Sequence, residues 1–175
     1  MGRKILAFGA SSSRQSINKK LATYAAGLFT NATVEVIDLN DFELPIFSVD
    51  KESPMPELVS KFAKKIDECD LIVLSLAEHN GSYSAAFKNL LDWTSRLPDR
   101  KVFSDKQMFL LATSPGDRGG STVLESAAQR FPFNGGSVVA TFSLPNFEQN
   151  FKDGVGVVDH DLKNQLQEIV SKLVF

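Results

Sequence analysis

Apolar positions along this chain fall into two kinds of block. Short, mostly apolar runs occur at Ile5–Phe8, Val34–Leu39, Leu71–Leu76, Met108–Ala112 and Val138–Phe142. Runs of that length predict strands, and the unbroken Leu71-Ile72-Val73-Leu74 has the character of a strand buried on both faces of a parallel sheet. Between the runs, apolar residues return every three or four positions. Ile17, Leu21, Ala25 and Leu28 form one such stripe; Val59, Phe62, Ile66 and Cys69 form the next. Phe87, Leu90, Leu91 and Thr94 follow on a helix expected from about Ser84 to Arg96, stopped by Leu97-Pro98-Asp99-Arg100. Leu124, Ala127, Ala128 and Phe131 carry the fourth stripe, and Leu162, Leu166, Ile169, Val170 and Leu173 the last.

Five strands alternating with five helices predict an α/β fold, a doubly wound parallel sheet with right-handed crossovers. In the five-stranded order 2-1-3-4-5 the switch point lies between the first and third strands, and ligands bind there at the carboxyl ends. The loops after residues 8 and 76 then face one crevice, flanked by the loop after the fourth strand. No repeat, low-complexity tract or linker divides the chain, so residues 1–175 read as one domain.

Composition narrows the partners. A chain of 175 residues suffices for a core without disulfides or metals. The net charge of −2 argues against nucleic acid or an anionic membrane, and no apolar run approaches the roughly 18 residues of a membrane span. Cys69 is the only cysteine, which excludes a disulfide framework and a cysteine-rich metal site. The two histidines, His79 and His160, lack ligand spacing. The N-terminal apolar run is too brief for a signal peptide, so the expected location is the cytoplasm.

The candidate chemistry sits in the loops. Gly9-Ala10-Ser11-Ser12-Ser13-Arg14-Gln15-Ser16-Ile17-Asn18 places four serines and an asparagine within eight positions at a helix start. Such a start binds phosphate through N–H and hydroxyl groups. Ser16 alone would be an ordinary N-cap; the crowd of hydroxyls points further. Neither G-x-x-x-x-G-K-[ST] nor G-x-G-x-x-G is present. Glu78-His79-Asn80-Gly81-Ser82 follows the third strand, and Ser114-Pro115-Gly116-Asp117-Arg118-Gly119-Gly120 the fourth.

These three loops, in register, resemble the G-S-x-[RS]-x-x-S-x-N, P-E-Y-N-G-S and S-x-G-x-x-G-G loops of the NADPH-dependent FMN reductase family. The resemblance implies a flavodoxin-like three-layer sandwich, bound FMN, and NADPH or NADH as electron donor. Electrons would pass to a small-molecule acceptor such as a quinone, free flavin, an azo dye or a metal oxyanion. Carried over, Ser11, Ser13, Ser16 and Asn18 would hold the FMN phosphate, with Arg14 beside them. Glu78, His79, Asn80, Gly81 and Ser82 would run along the ring, and Ser114, Gly116 and Gly119 would close its other side. No catalytic side chain is implied, because flavin N5 carries the hydride. Ala77 replaces the family's proline, His79 its tyrosine, and Ser13 a frequent arginine.

A flavodoxin-type carrier and a flavin-binding redox sensor without turnover are the alternatives; carriers tend to be strongly acidic, and −2 is not. The resemblance also suggests a homodimer or homotetramer. Leu44-Pro45-Ile46-Phe47, in the loop spanning 40–56, is the expected contact beside the flavin, since loops that long are usually functional or pinned. Trp93 lies at the edge of its helical stripe, open either to the core or to a subunit interface.

Overall fold

The computed structural model describes residues 2–175; Met1, part of the expected domain, lies outside the described residues. In chain order the elements are β1 (Arg3–Ala10), α1 (Ile17–Gly27), β2 (Ala32–Val36), α2 (Glu57–Asp67), β3 (Leu71–Leu76), β4 (Glu78–His79), β5 (Ser82–Tyr83), α3 (Ala85–Thr94), β6 (Lys106–Thr113), α4 (Ser121–Arg130), β7 (Gly136–Leu144), α5 (Phe147–Asn150), β8 (Phe151–Lys152), β9 (Gly156–Val157) and α6 (His160–Lys172).

Five strands form one parallel sheet in the order β2-β1-β3-β6-β7, the 2-1-3-4-5 arrangement of a flavodoxin-like fold. All six residues of β3 are buried, because helices cover both faces of the sheet. Side chains alternate across it. Leu6, Phe8, Ile72, Leu74 and Leu110 point into one core with Phe62 of α2 and Phe87 of α3. Ile5, Ala7, Val73, Phe109 and Leu111 point into the other, against Leu21 of α1 and Leu166 of α6. Cys69 lies buried at the edge of the first core, and desolvation pushes its thiol up to about 11, leaving it unreactive at neutral pH.

Several elements differ from their sequence-based expectation. β2 ends at Val36 rather than Leu39. Asp38 leaves the ladder to accept the Asn40 N–H at 2.9 Å and starts a 3-10 turn at Leu39–Phe42. A bond from Lys19 Nζ, 2.5 Å away, holds the Asp38 carboxyl below its ordinary value. The hairpins β4–β5 and β8–β9 are too short for periodicity to register. In β7, Val138 pairs with Met108 but Ala140 with Phe109, so Val139 forms a bulge on this edge strand.

Trp93 is a core residue rather than an interface residue, with 0% exposure. The reason lies in the loop after β2. Phe47 packs edge-on against the indole at 5.2 Å, and Pro45 C=O accepts its N–H at 2.7 Å. Asn89 fixes the same segment, donating to Leu44 C=O and Pro45 C=O and accepting from Phe47 N–H. The loop is therefore pinned within its own chain, with Ile46 left 81% exposed at its tip.

Candidate functional site

At the carboxyl end of β1, Gly9 lets α1 approach the strand. A Cβ at this position would lie 2.3 Å from Lys19 N and 2.8 Å from the Asn18 carbonyl carbon. Only a missing side chain allows that contact, so the first turn of α1 sits directly over the strand and the loop at 11–16 rims the sheet. Within this loop Ser11 Oγ accepts from Ser13 N (3.1 Å), Ser13 Oγ from Gln15 N (3.2 Å) and Ser16 Oγ from Lys19 N (3.1 Å). Each hydroxyl thereby acts as an acceptor towards its own loop and keeps its O–H to donate elsewhere. The first-turn N–H groups of Ile17 and Asn18 have no acceptor within the helix. This donor set fits a phosphate monoester: hydroxyls and amides at the positive end of a helix dipole.

Asn18 has a different task from the other loop residues. Its side chain is buried, with Oδ1 accepting from Ser75 Oγ (2.7 Å) and Thr113 N (3.1 Å), while Nδ2 donates to Thr113 C=O (3.3 Å). Thr113 Oγ1 in turn donates to Leu144 C=O at 2.7 Å. The amide thus ties α1 to the ends of β3 and β6, and what it offers a ligand is its backbone N–H.

The second loop is the β4–β5 hairpin. Asn80 (φ 52°) and Gly81 (φ 73°) form its tip, both left-handed, as a two-residue Asn-Gly hairpin turn requires. His79, Asn80, Gly81 and Ser82 are exposed. Immediately after the hairpin, Ser84 Oγ donates to Ala10 C=O at 2.8 Å and accepts from Phe87 N at 3.2 Å. One hydroxyl therefore caps α3 and joins the second loop to the end of β1.

Glu78 joins the second loop to the third. Its Oε2 accepts from Val123 N at 3.0 Å, and its Oε1 lies 3.7 Å from Arg118 Nη2, with the side chain 10% exposed. The N-cap of α4 is Gly120, which has no side chain to offer, so Glu78 caps this helix from across the crevice. Glu78→Ala is expected to cost about 1–2 kcal/mol, the range of a lost N-cap. Glu78→Gln retains an acceptor and should recover most of that in thermal unfolding. Equal losses in the two variants would contradict the capping role.

The loop at 114–120 is fastened to the far side. Ser114 C=O accepts from Phe147 N, Gly116 C=O from Asn146 N, and Gly119 C=O from Ser143 Oγ. Ser114 and Gly116 remain accessible, whereas Gly119 is buried. Three contacts, Asn18–Thr113, Ser84–Ala10 and Glu78–Val123, thus join the three loops into one rim. Arg14, with Gln15 and Ser16 of the same loop, lines a groove between α1 and the β8–β9 hairpin. Ser75, Ser84 and Thr113 escaped the sequence reading; a lone serine in the apolar run of β3 was the available signal. Among the described residues no group of three His, Cys, Asp or Glu side chains is placed to hold a metal, and no helix is long and apolar enough to cross a membrane.

Comparison with known proteins agrees with this architecture. The sequence profile described as NADPH-dependent FMN reductase matches residues 3–149. The chain is 32% identical over 120 residues to a 2-hydroxy-1,4-benzoquinone reductase of a Burkholderia species, covering 68% of this chain and 64% of that protein. It is 39% identical over 89 residues to an NADPH:quinone oxidoreductase of Arabidopsis thaliana, covering 50% and 43%. The match thus spans less than two thirds of each of these relatives. Among solved structures, the NAD(P)H:(acceptor) oxidoreductase FerB of Paracoccus denitrificans superposes with a TM-score of 0.78 at 22% identity, covering 97% of this chain and 93% of that one. An azoreductase of Bacillus anthracis gives a TM-score of 0.66 at 18% identity, covering 97% of both chains. At such identities these two matches establish the fold.

Proposed function

The chain belongs to the NADPH-dependent FMN reductase family, and from that premise we propose that it binds FMN in the rim of three loops and reduces small-molecule acceptors with electrons from NADPH or NADH. Quinones, free flavin, azo compounds and metal oxyanions are the acceptor classes. When bound, FMN supplies the hydride-accepting centre, so the protein's part is binding, orientation and electrostatics.

The observation that carries this reading is the donor set at the start of α1, three serine hydroxyls that accept from their own segment and keep their O–H to donate. Ser11, Ser13 and Ser16 donate their O–H groups to the phosphate, aided by the N–H groups of Ile17 and Asn18. His79, Asn80, Gly81 and Ser82 lie along the ring, presented by a hairpin that Glu78 locks to α4. Ser114 and Gly116 border its opposite side, and Gly119 holds their loop against β7. His79 is exposed on the hairpin, and we assign it contact with flavin or acceptor rather than proton transfer. Ile46, exposed at the tip of a pinned loop, supports a second copy docking there to form a homodimer.

Titration with FMN, followed by visible absorbance and by turnover of NADPH with a quinone, tests the assignment. The expected result is a yellow protein that bleaches with NADPH, regains colour with quinone, and sediments as a dimer. Ser11→Ala combined with Ser16→Ala should weaken FMN binding at least about tenfold, the equivalent of one charge-assisted hydrogen bond. A colourless protein that takes up no FMN would remove the reading. Bleaching without turnover would favour the carrier instead, and a monomer would remove the docking assignment.

A further inference from the structure

A groove of about 640 Å³ lies between α1 and the β8–β9 hairpin, contiguous with the phosphate loop through Arg14, Gln15 and Ser16. One wall is built around Tyr24. Gly156, at φ +93°, lies so close that a Cβ there would come 2.0 Å from Tyr24 Cε2, and Phe151 meets the ring edge-on at 5.7 Å. The hairpin is thus seated against the aromatic ring, and it carries Val155 into the same groove with 61% of its surface exposed.

The charges in the groove are mostly positive: Arg14, Lys19 and Lys20 against Asp153. Lys19 is engaged by Asp38. Lys20 bonds Asp153 at 2.8 Å, but that carboxylate is 72% exposed. Exposed pairs of this kind contribute little, so Lys20 can transfer to a stronger anion at small cost.

We propose that this groove binds the adenosine 2′-phosphate end of NADPH, with Arg14 and Lys20 on the 2′-phosphate and the base against Tyr24 and Val155. The inference rests on the FMN-reductase reading and adds the choice of electron donor to it. Two features favour this occupant. Arginine and lysine recognise a phosphate dianion, which NADH lacks on its ribose. An aromatic ring beside an exposed aliphatic tip suits a flat heterocycle, and Tyr24 and Val155 line the groove together with the charged residues. The groove adjoins the phosphate loop, whose Arg14, Gln15 and Ser16 line it.

Calorimetric titration with adenosine 2′,5′-bisphosphate and with 5′-AMP, on wild type and on Lys20→Glu, tests the assignment without flavin or turnover. The bisphosphate should bind at least about tenfold more tightly than 5′-AMP, and Lys20→Glu should weaken it by about tenfold or more. In steady-state assays the same variant should raise KM for NADPH in parallel, while KM for NADH and the affinity for FMN stay unchanged. The proposal is overturned if both nucleotides bind alike, if neither binds, or if Lys20→Glu leaves the bisphosphate unaffected. A protein that binds the bisphosphate through Lys20 but takes up no FMN would keep this groove and lose the oxidoreductase assignment.

Discussion

Gly9→Ala is expected to lower the unfolding midpoint by roughly 6–12 °C and to abolish FMN binding, taking a cost of about 3 kcal/mol for overpacking and 2–4 °C per kcal/mol for a chain of this size. The added methyl would meet backbone atoms of Asn18 and Lys19, which no rotamer change can move aside. Relief requires α1 to lift off β1, and that displaces the N–H groups and hydroxyls of the phosphate loop together. Gly27, in the last turn of the same helix, has open space around its Cβ position. Gly27→Ala should therefore stabilise the protein by about 0.5–1 kcal/mol through helix propensity. Calorimetric melting and FMN titration of the pair check the argument. A Gly9→Ala protein melting within a degree of wild type would refute the close approach.

Asn18→Ala is expected to cost about 3 kcal/mol. It deprives the N–H and C=O of Thr113, and the hydroxyl of Ser75, of their partner in a buried site, at about 1–3 kcal/mol for each group left unsatisfied. Asn18→Asp has nearly the same shape but turns the Nδ2 donor into an acceptor facing Thr113 C=O. It buries a charge as well, so it should not rescue. Ser75→Ala removes one donor and leaves Oδ1 bonded to Thr113 N, for about 1 kcal/mol. The double variant should be less damaging than the sum, because both changes break the same bond. Urea denaturation of the set measures this. An Asn18→Ala cost within the roughly 0.5 kcal/mol typical of surface changes would show that the tie is not made.

The framework and the location of the candidate site were legible because both rest on local patterns. Leu71–Leu76 has the length and bounding of a doubly buried strand, and Asn80-Gly81 carries its turn type in its residues. Of the two common doubly wound orders, 2-1-3-4-5 is the one that uses five strands, and the sheet adopts it. What escaped notice depends on partners far along the chain. Asn18 reads as one more polar group in a phosphate loop, yet its amide bonds Thr113, 95 residues away. Glu78 caps a helix that begins more than 40 residues later, at an N-terminus without a capping side chain of its own. Trp93 sits at a stripe edge that the Pro45–Phe47 segment covers from outside, so helical spacing alone left it open. β2 ends early because Asp38 forms bonds with Lys19 and Asn40 that an extended ladder cannot supply.

The two outer strands of the sheet have a consequence for assembly. β2 is five residues long and carries Glu35, paired with Lys65, along an otherwise open flank; the opposite flank is interrupted by the swelling of the backbone at Val139. Neither border offers the straight, uncharged template on which another polypeptide could stack by main-chain pairing. Continuous growth by main-chain pairing is discouraged at both ends, which leaves contact between copies to side chains.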